Sequence, residues 1–208
     1  VKNNPSNILR ILLEAEEQSY SLDPASQRRS KEEKEKRYTA VIQKKIADYI
    51  KNGSEGDLNL AGATITKLPE GLTVVGGDLN LGSSKIIKLP DNLKVKGSID
   101  LYETQITELP KNLKVRGDIN LAYSEITKLH ENLTVLGFLD LNETQITELP
   151  DGLNVGGELV LSYCKITELP KDLRVGKQLI LFGTPIAKKY TRIQIKQMCP
   201  GIQGSIFM

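Results

Sequence analysis

Bond-making chemistry needs a nucleophile, a base or a metal cage, and this sequence supplies almost none of the parts. His130 is the only histidine. It stands where a phrase repeated elsewhere in the chain carries proline, so it reads as a variant of a surface loop rather than an acid, a base or a ligand. One imidazole cannot complete a Ser/His/Asp or Cys/His set. Cys164 and Cys199 form no CxxC pair, and no Gly-x-x-x-x-Gly-Lys phosphate loop occurs. What recurs at fixed spacing is carboxylates and aromatic rings. One column reads Asp57, Asp78, Ser98, Asp118, Phe138, Glu158, Gln178, and another Asn59, Asn80, Asp100, Asn120, Asp140, Val160, Ile180. Two further columns carry Tyr102, Tyr123, Tyr163 and Phe182 together with Glu103 and Glu143. No lysine or arginine enters these columns, although 28 basic residues outnumber 26 acidic ones in the chain. Calcium is the sharpest ligand for neighbouring carboxylates. No loop has the dense acidic spacing that calcium needs, so no metal and no cofactor is expected.

The columns exist because residues 57–188 repeat one unit, Leu-x-Leu-x-x-(Thr/Ser)-x-Ile-Thr-x-Leu-Pro-x-x-Leu-x-Val-x-Gly-x, about every twenty residues. Its second leucine falls at Leu60, Leu81, Leu101, Leu121, Leu141, Leu161 and Leu181; one extra residue at Thr73-Val74 lengthens the first step. Fixed-period self-similarity means stacked units rather than a closed globule. Leucines two apart share one face of an extended strand, so each Leu pair points inward and its flanking residues outward. Proline after the next leucine (Pro69, Pro90, Pro110, Pro150, Pro170) blocks a regular helix, and the return path is expected to be extended or a short turn. Glycine two residues after five of the valines (Gly77, Gly97, Gly117, Gly137, Gly157) permits a tight corner. A single unit buries too little to fold alone, so stability belongs to the stack.

At Ala63, Ser84, Thr104, Ser124, Thr144, Cys164 and Thr184 the unit places a small side chain three residues after the second leucine. Leu-x-Leu-x-x-(Asn/Cys/Thr)-x-Ile resembles the core of the leucine-rich repeat. The twenty-residue length and the Ile-Thr-x-Leu-Pro-x-x-Leu ending resemble its short bacterial subclass, found in secreted effectors and in other bacterial and phage proteins. The resemblance implies an α/β leucine-rich-repeat solenoid of about seven strands, with its parallel sheet on the concave face. It implies a binding scaffold rather than an enzyme. Within the 208 residues no catalytic domain follows the repeats, unlike ubiquitin-ligase effectors.

Residues 1–53 read as an N-terminal cap of two helices, the first starting at Asn4-Pro5 and the second at Asp23-Pro24. Tyr38, Val41, Ile42, Ile46, Tyr49 and Ile50 share one face of the second helix, and Gly53 stops it. Its charged run interleaves Glu32, Glu33 and Glu35 with basic residues, the pattern of a solvated helix rather than a nucleic-acid site. Residues 54–188 are the repeats. Residues 189–208 form a C-terminal cap, with Thr191 capping a short helix that carries Ile193, Ile195 and Met198 while Ile202, Ile206 and Phe207 cover the last coil. No apolar run or signal pattern targets a membrane, and two unpaired cysteines suit a reducing, cytoplasmic compartment, of the producing cell or of a host.

Function is expected on the concave face. Asparagine beside aspartate can be no more than a soluble sheet surface, since amides donate between carboxylates. That does not account for exposed aromatics, which are typical interface anchors. The expected site is Asp100, Tyr102, Glu103, Asp118, Tyr123, Phe138, Asp140, Glu143, Glu158, Tyr163 and Phe182, held by a monomer. The expected partner is a protein or peptide with a basic, partly apolar surface, because an acidic groove repels nucleic acid. The rival class is an assembly module of a larger particle.

Overall fold

The computed structural model describes residues 24–208; the helix expected from Asn4-Pro5 lies outside the described residues. Pairwise contacts divide the chain into two compact units, 1–38 and 39–208. The described part of the first is the charged beginning of helix α1, Pro24–Lys51.

The second unit is a parallel β-solenoid. Strands begin at the first leucine-type position of every unit (Leu58–Asn59, Leu79–Asn80, Ile99–Asp100, Ile119–Asn120, Leu139–Asp140, Leu159–Val160 and Leu179–Ile180), each paired in parallel with the same position one unit on. An eighth strand, Ile206–Phe207, pairs with Leu179–Ile180. The sheet therefore has eight strands rather than seven, and the residues expected only to cover the last coil continue its ladder. Except for Leu169, which is partly exposed, the repeat leucines and isoleucines are buried from Leu58 to Ile186, as the inward-facing half of a period-two pattern requires.

A second line of ladders runs along the valine corner. Val74–Val75, Lys94–Val95 and Lys114–Val115 form one three-stranded ladder, and Thr134–Val135, Asn154–Val155 and Arg174–Val175 another. Proline prevents helix on the return path, and extended backbone at equivalent places in stacked coils pairs by default. The ladder is interrupted between the coils carrying Val115 and Val135, where the long sheet continues unbroken through Ile119–Asn120 and Leu139–Asp140.

Each Leu pair ends in the same turn. The N–H three residues on donates back to the second leucine's carbonyl, as from Ser124 to Leu121 at 3.1 Å and from Cys164 to Leu161 at 3.1 Å. The third residue of this turn has positive φ in all seven coils: Gly62, Ser83, Glu103, Tyr123, Glu143, Tyr163 and Gly183. A type II turn requires that conformation there. Inside the turn lies the buried small-residue ladder, where Thr104, Ser124, Thr144 and Thr184 donate their hydroxyls to Leu101, Leu121, Leu141 and Leu181 carbonyls at 2.6–2.8 Å.

The second half of α1 closes the first coil. Ile42 and Ile46 are buried. Lys45 Nζ donates to the Asn59 carbonyl at the sheet edge. Tyr49 Oη bonds the carbonyls of Ser54 and Gly56 at 2.9 and 2.8 Å and accepts the Gly76 N–H at 3.0 Å. Val41, expected on the apolar face, is 50% exposed, because the buried stripe is the narrower i, i+4 pair Ile42/Ile46.

At the other end, helix α2 spans Pro185–Lys189 and α3 spans Arg192–Met198. Thr191 caps α3 in a reciprocal capping box with Gln194. Only Ile195 of α3 is buried; Ile193 and Met198, expected to pack, are 71% and 36% exposed. A helix of two turns can turn only one narrow stripe inward. No helix among the described residues is long and apolar enough to cross a membrane.

Candidate functional site

The outer face of the long sheet is built from side chains that first serve the backbone. In the column preceding the Leu pairs, the side chains of the first four coils each accept the N–H of their counterpart one coil on. Asp57 accepts from Asp78 (2.8 Å), Asp78 from Ser98 (2.7 Å), Ser98 from Asp118 (3.0 Å) and Asp118 from Phe138 (2.8 Å). Each carboxylate lies against a glycine of the next coil; a Cβ on Gly97 or Gly137 would collide with Oδ1 of Asp78 or Asp118. Glycine in that column thus makes room for an acid as well as for a corner.

The middle column behaves similarly. Oδ1 of Asn59, Asn80, Asp100, Asn120 and Asp140 accepts the N–H two residues ahead, at 2.8–3.1 Å, which stabilises the entry to the turn. Asn120 Nδ2 also donates to Asp100 Oδ1 at 3.0 Å, the amide-to-carboxylate alternation expected of a stacked column. Asp140 lies between Asn120 and Val160. Burial pushes its carboxyl above the ordinary carboxylate value, and the Asn142 N–H pulls part of the way back. Asp100, Asp118 and Asp140 of the expected site are therefore engaged with main-chain N–H groups before any partner arrives.

A different logic governs the aromatics. Tyr102, Tyr123, Phe138, Tyr163 and Phe182 are between 36% and 62% exposed. Tyr102 and Tyr123 meet edge to face with centroids 5.4 Å apart. Tyr123 Oη donates to Glu143 Oε1 at 3.0 Å, and Ser83 Oγ to Glu103 Oε2 at 2.9 Å, so charged and phenolic groups link neighbouring coils. Tyr163 Cδ1 lies 2.5 Å from where a Cβ on Gly183 would stand, so the ring covers that glycine. Glu103, Tyr123, Glu143 and Tyr163 occupy the positive-φ position that Gly62 and Gly183 fill without strain. A bulky side chain there costs on the order of 1 kcal/mol or more.

Two features lie outside the expected site residues. Register places Phe207 beside Ile180, which in turn lies beside Val160, continuing the middle column as an apolar strip. The signal was present as Ser205-Ile206-Phe207-Met208, which matches x-Leu-x-Leu, but it falls 27 residues after Leu181 instead of twenty. Nearer the N-terminal coils, a hollow of about 260 Å³ opens at Ser98, rimmed by Asp78, Asp100 and Asp118 and walled by Phe138.

Elsewhere the chemistry is spare. Among the described residues no group of three His, Cys, Asp or Glu side chains could hold a metal ion. Cys164 and Cys199 are free and buried, and burial raises both thiols above their ordinary value. The Cys164 sulfur lies 2.9 Å from the Leu141 carbonyl, within the small-residue ladder. His130 lies on the return path, beside a cavity of about 560 Å³ that Leu109 and Leu129 help to line. Its Nδ1 is 3.1 Å from the Glu131 carbonyl, which can only accept, so Nδ1 carries the proton. Nε2 is left buried with no partner. No family model matches this sequence, and a search of curated proteins finds no significant match.

Proposed function

We propose that the protein is a non-enzymatic binding module of leucine-rich-repeat type, whose long-sheet face holds a protein or peptide with a basic, partly apolar surface. The observation that carries this reading is the placement of Glu103, Tyr123, Glu143 and Tyr163 at positive φ, where glycine serves the fold at lower cost in the first and last coils. Strain kept at four successive coils is explained by what the side chains present outward. Around them the face has exposed rings, no cation, and an apolar strip of Val160, Ile180 and Phe207 at its C-terminal end.

Anchoring falls to Phe138, Tyr163 and Phe182, with Glu143 and Glu158 supplying charge; Asp100, Asp118 and Asp140 contribute field rather than free acceptors. The resemblance to short bacterial repeats points to a bacterial or phage protein acting in a cytoplasm, with a host protein as its client. The reading is tested by selecting a random displayed-peptide library on the wild-type protein and on the Phe138→Ala/Tyr163→Ala/Phe182→Ala variant. Enrichment of sequences that combine Lys or Arg with apolar residues, lost on the variant, supports it. Enrichment of acidic sequences, or the same sequences on both proteins, refutes it.

A second reading, assembly into a larger particle, draws on Ile193 and Phe207, both exposed at the last coil. Sedimentation that shifts with concentration, and is abolished by Ile193→Ser and Phe207→Ser, would favour it over the binder.

A further inference from the structure

Basic residues collect on one small area of the valine corner. Lys94 is paired directly with Lys114 in the parallel corner ladder, and the same register sets Lys96 beside Arg116. All four are exposed, flanking the inward valines Val95 and Val115. Their neighbours stand about 4.8 Å apart across the strands and about 6.8 Å apart along them. None has an ion pair or a side-chain hydrogen bond among the described residues.

Like charges directly opposite on adjacent strands destabilise a sheet. Other return-path columns carry both signs, Lys67, Lys88, Glu108, Lys128, Glu148, Glu168 and Glu70, Asp91, Lys111, Glu131, Asp151, Lys171, although like charges also meet there, as where Lys67 pairs with Lys88. In the two corner columns no acid occurs in any coil, and the cations gather in two neighbouring coils, with Arg174 alone three coils further on. Leu136, 62% exposed, takes the next place in the Lys96–Arg116 column.

We infer that this corner is a second binding surface, separate from the long-sheet face, that takes an extended acidic polypeptide segment. In an extended segment, carboxylates at alternate residues recur at the same spacing as Lys94 to Lys96 and Lys114 to Arg116. Such a segment also has an apolar residue to set on Leu136, which a phosphate backbone does not. Four cations in two coils form a footprint too short to follow nucleic acid, whose binders commonly neutralise about six to ten phosphates.

The test uses the whole protein and two labelled probes: a fluorescent peptide of alternating glutamate and threonine with one leucine, and a single-stranded oligothymidylate. Anisotropy is read for wild type and for K94Q/K96Q/K114Q/R116Q, with thermal melts to show that both are folded. Expected is peptide binding that weakens with salt and falls about tenfold or more in the variant, the sum of several exposed charge contacts. Tighter binding of the oligothymidylate than of the peptide would overturn the assignment in favour of a phosphate-reading surface. Peptide affinity equal in the two proteins, or no peptide binding by either, would overturn it as well. A variant that sediments as a smaller species than wild type would reassign the patch to contacts with a second copy's acidic sheet face.

Discussion

Tyr123 Oη donates a 3.0 Å hydrogen bond to Oε1 of Glu143, the residue at the same turn position one coil on. The carboxylate beside it, through this bond first and its charge second, raises the phenol above its ordinary value of 10.0. The bond favours the protonated phenol, so its contribution is complete below the ordinary value and is lost as pH rises through the raised one. Glu143→Gln should lower the tyrosine transition in an ultraviolet titration. If the tyrosinate band rises at the same pH in both proteins, the pair is not formed in solution.

Asp140 has the opposite consequence for the fold. Because burial raises its carboxyl, the ionised form is disfavoured in the folded state, and stability falls as pH rises through the raised value. Asn120 shows that an amide accepts the same turn N–H. Asp140→Asn should therefore melt higher than wild type at neutral pH, and the difference should vanish below the ordinary carboxylate value of 3.8. Equal melting temperatures at neutral pH would contradict this account.

Gly137 and Gly71 should respond in opposite directions to alanine. The Asp118 carboxylate occupies the place of a Gly137 side chain, and its bond to the Phe138 N–H holds it there. Gly137→Ala should cost roughly 1–3 kcal/mol, the usual penalty for overfilling a packed place. Gly71 has nothing within 4 Å of its missing Cβ and no positive φ, so Gly71→Ala should stabilise by about 0.4–1 kcal/mol through the unfolded chain. Urea denaturation of both variants measures the contrast.

Ser84 is the weak rung of the buried ladder. Its hydroxyl is buried without a partner, whereas Thr144 donates to Leu141 at 2.8 Å. Ser84→Ala, which copies Ala63, should be neutral or stabilise by about 1 kcal/mol. Thr144→Val should destabilise by roughly 1–2 kcal/mol, since it removes that bond and leaves the neighbouring Cys164 thiol without its 3.4 Å partner. Equal effects of the two substitutions would show that the ladder bonds do not contribute.

Glu103→Gly separates folding from binding. Replacing a strained residue (φ 55°) by glycine should leave stability unchanged or raise it by up to about 1 kcal/mol, despite the lost Ser83 bond. Peptides selected on the sheet face should nevertheless bind more weakly. Loss of stability without loss of binding would mean that the turn residues serve the fold.

Much of this was readable in advance because the twenty-residue period acts on every level at once. Two leucines at x-Leu-x-Leu spacing, repeated at a fixed interval, can bury themselves only by stacking in parallel register, and Pro after the third leucine leaves no helix as an alternative. The exposure of Tyr102, Tyr123, Phe138, Tyr163 and Phe182 followed from the same period. The eighth strand did not, because helices α2 and α3 stretch the final step past the repeat length. Nor did the fate of Asp78, Asp118 and Asp140 follow: a carboxylate's partner is a main-chain N–H in the next coil or two residues ahead, and letter type does not distinguish an engaged acid from a free one.

By itself, then, the sequence determined the stack, its register and which columns face outward, since these depend only on local periodicity and on burying leucine. Tertiary structure decided which outward side chains are available. Once coils are set about 4.8 Å apart, hydrogen bonds between coils engage some acids and leave others free. The same spacing sets Lys94 against Lys114 and stretches Phe207 onto the end of an apolar strip. Those are properties of neighbours in space that lie twenty or more residues apart along the chain.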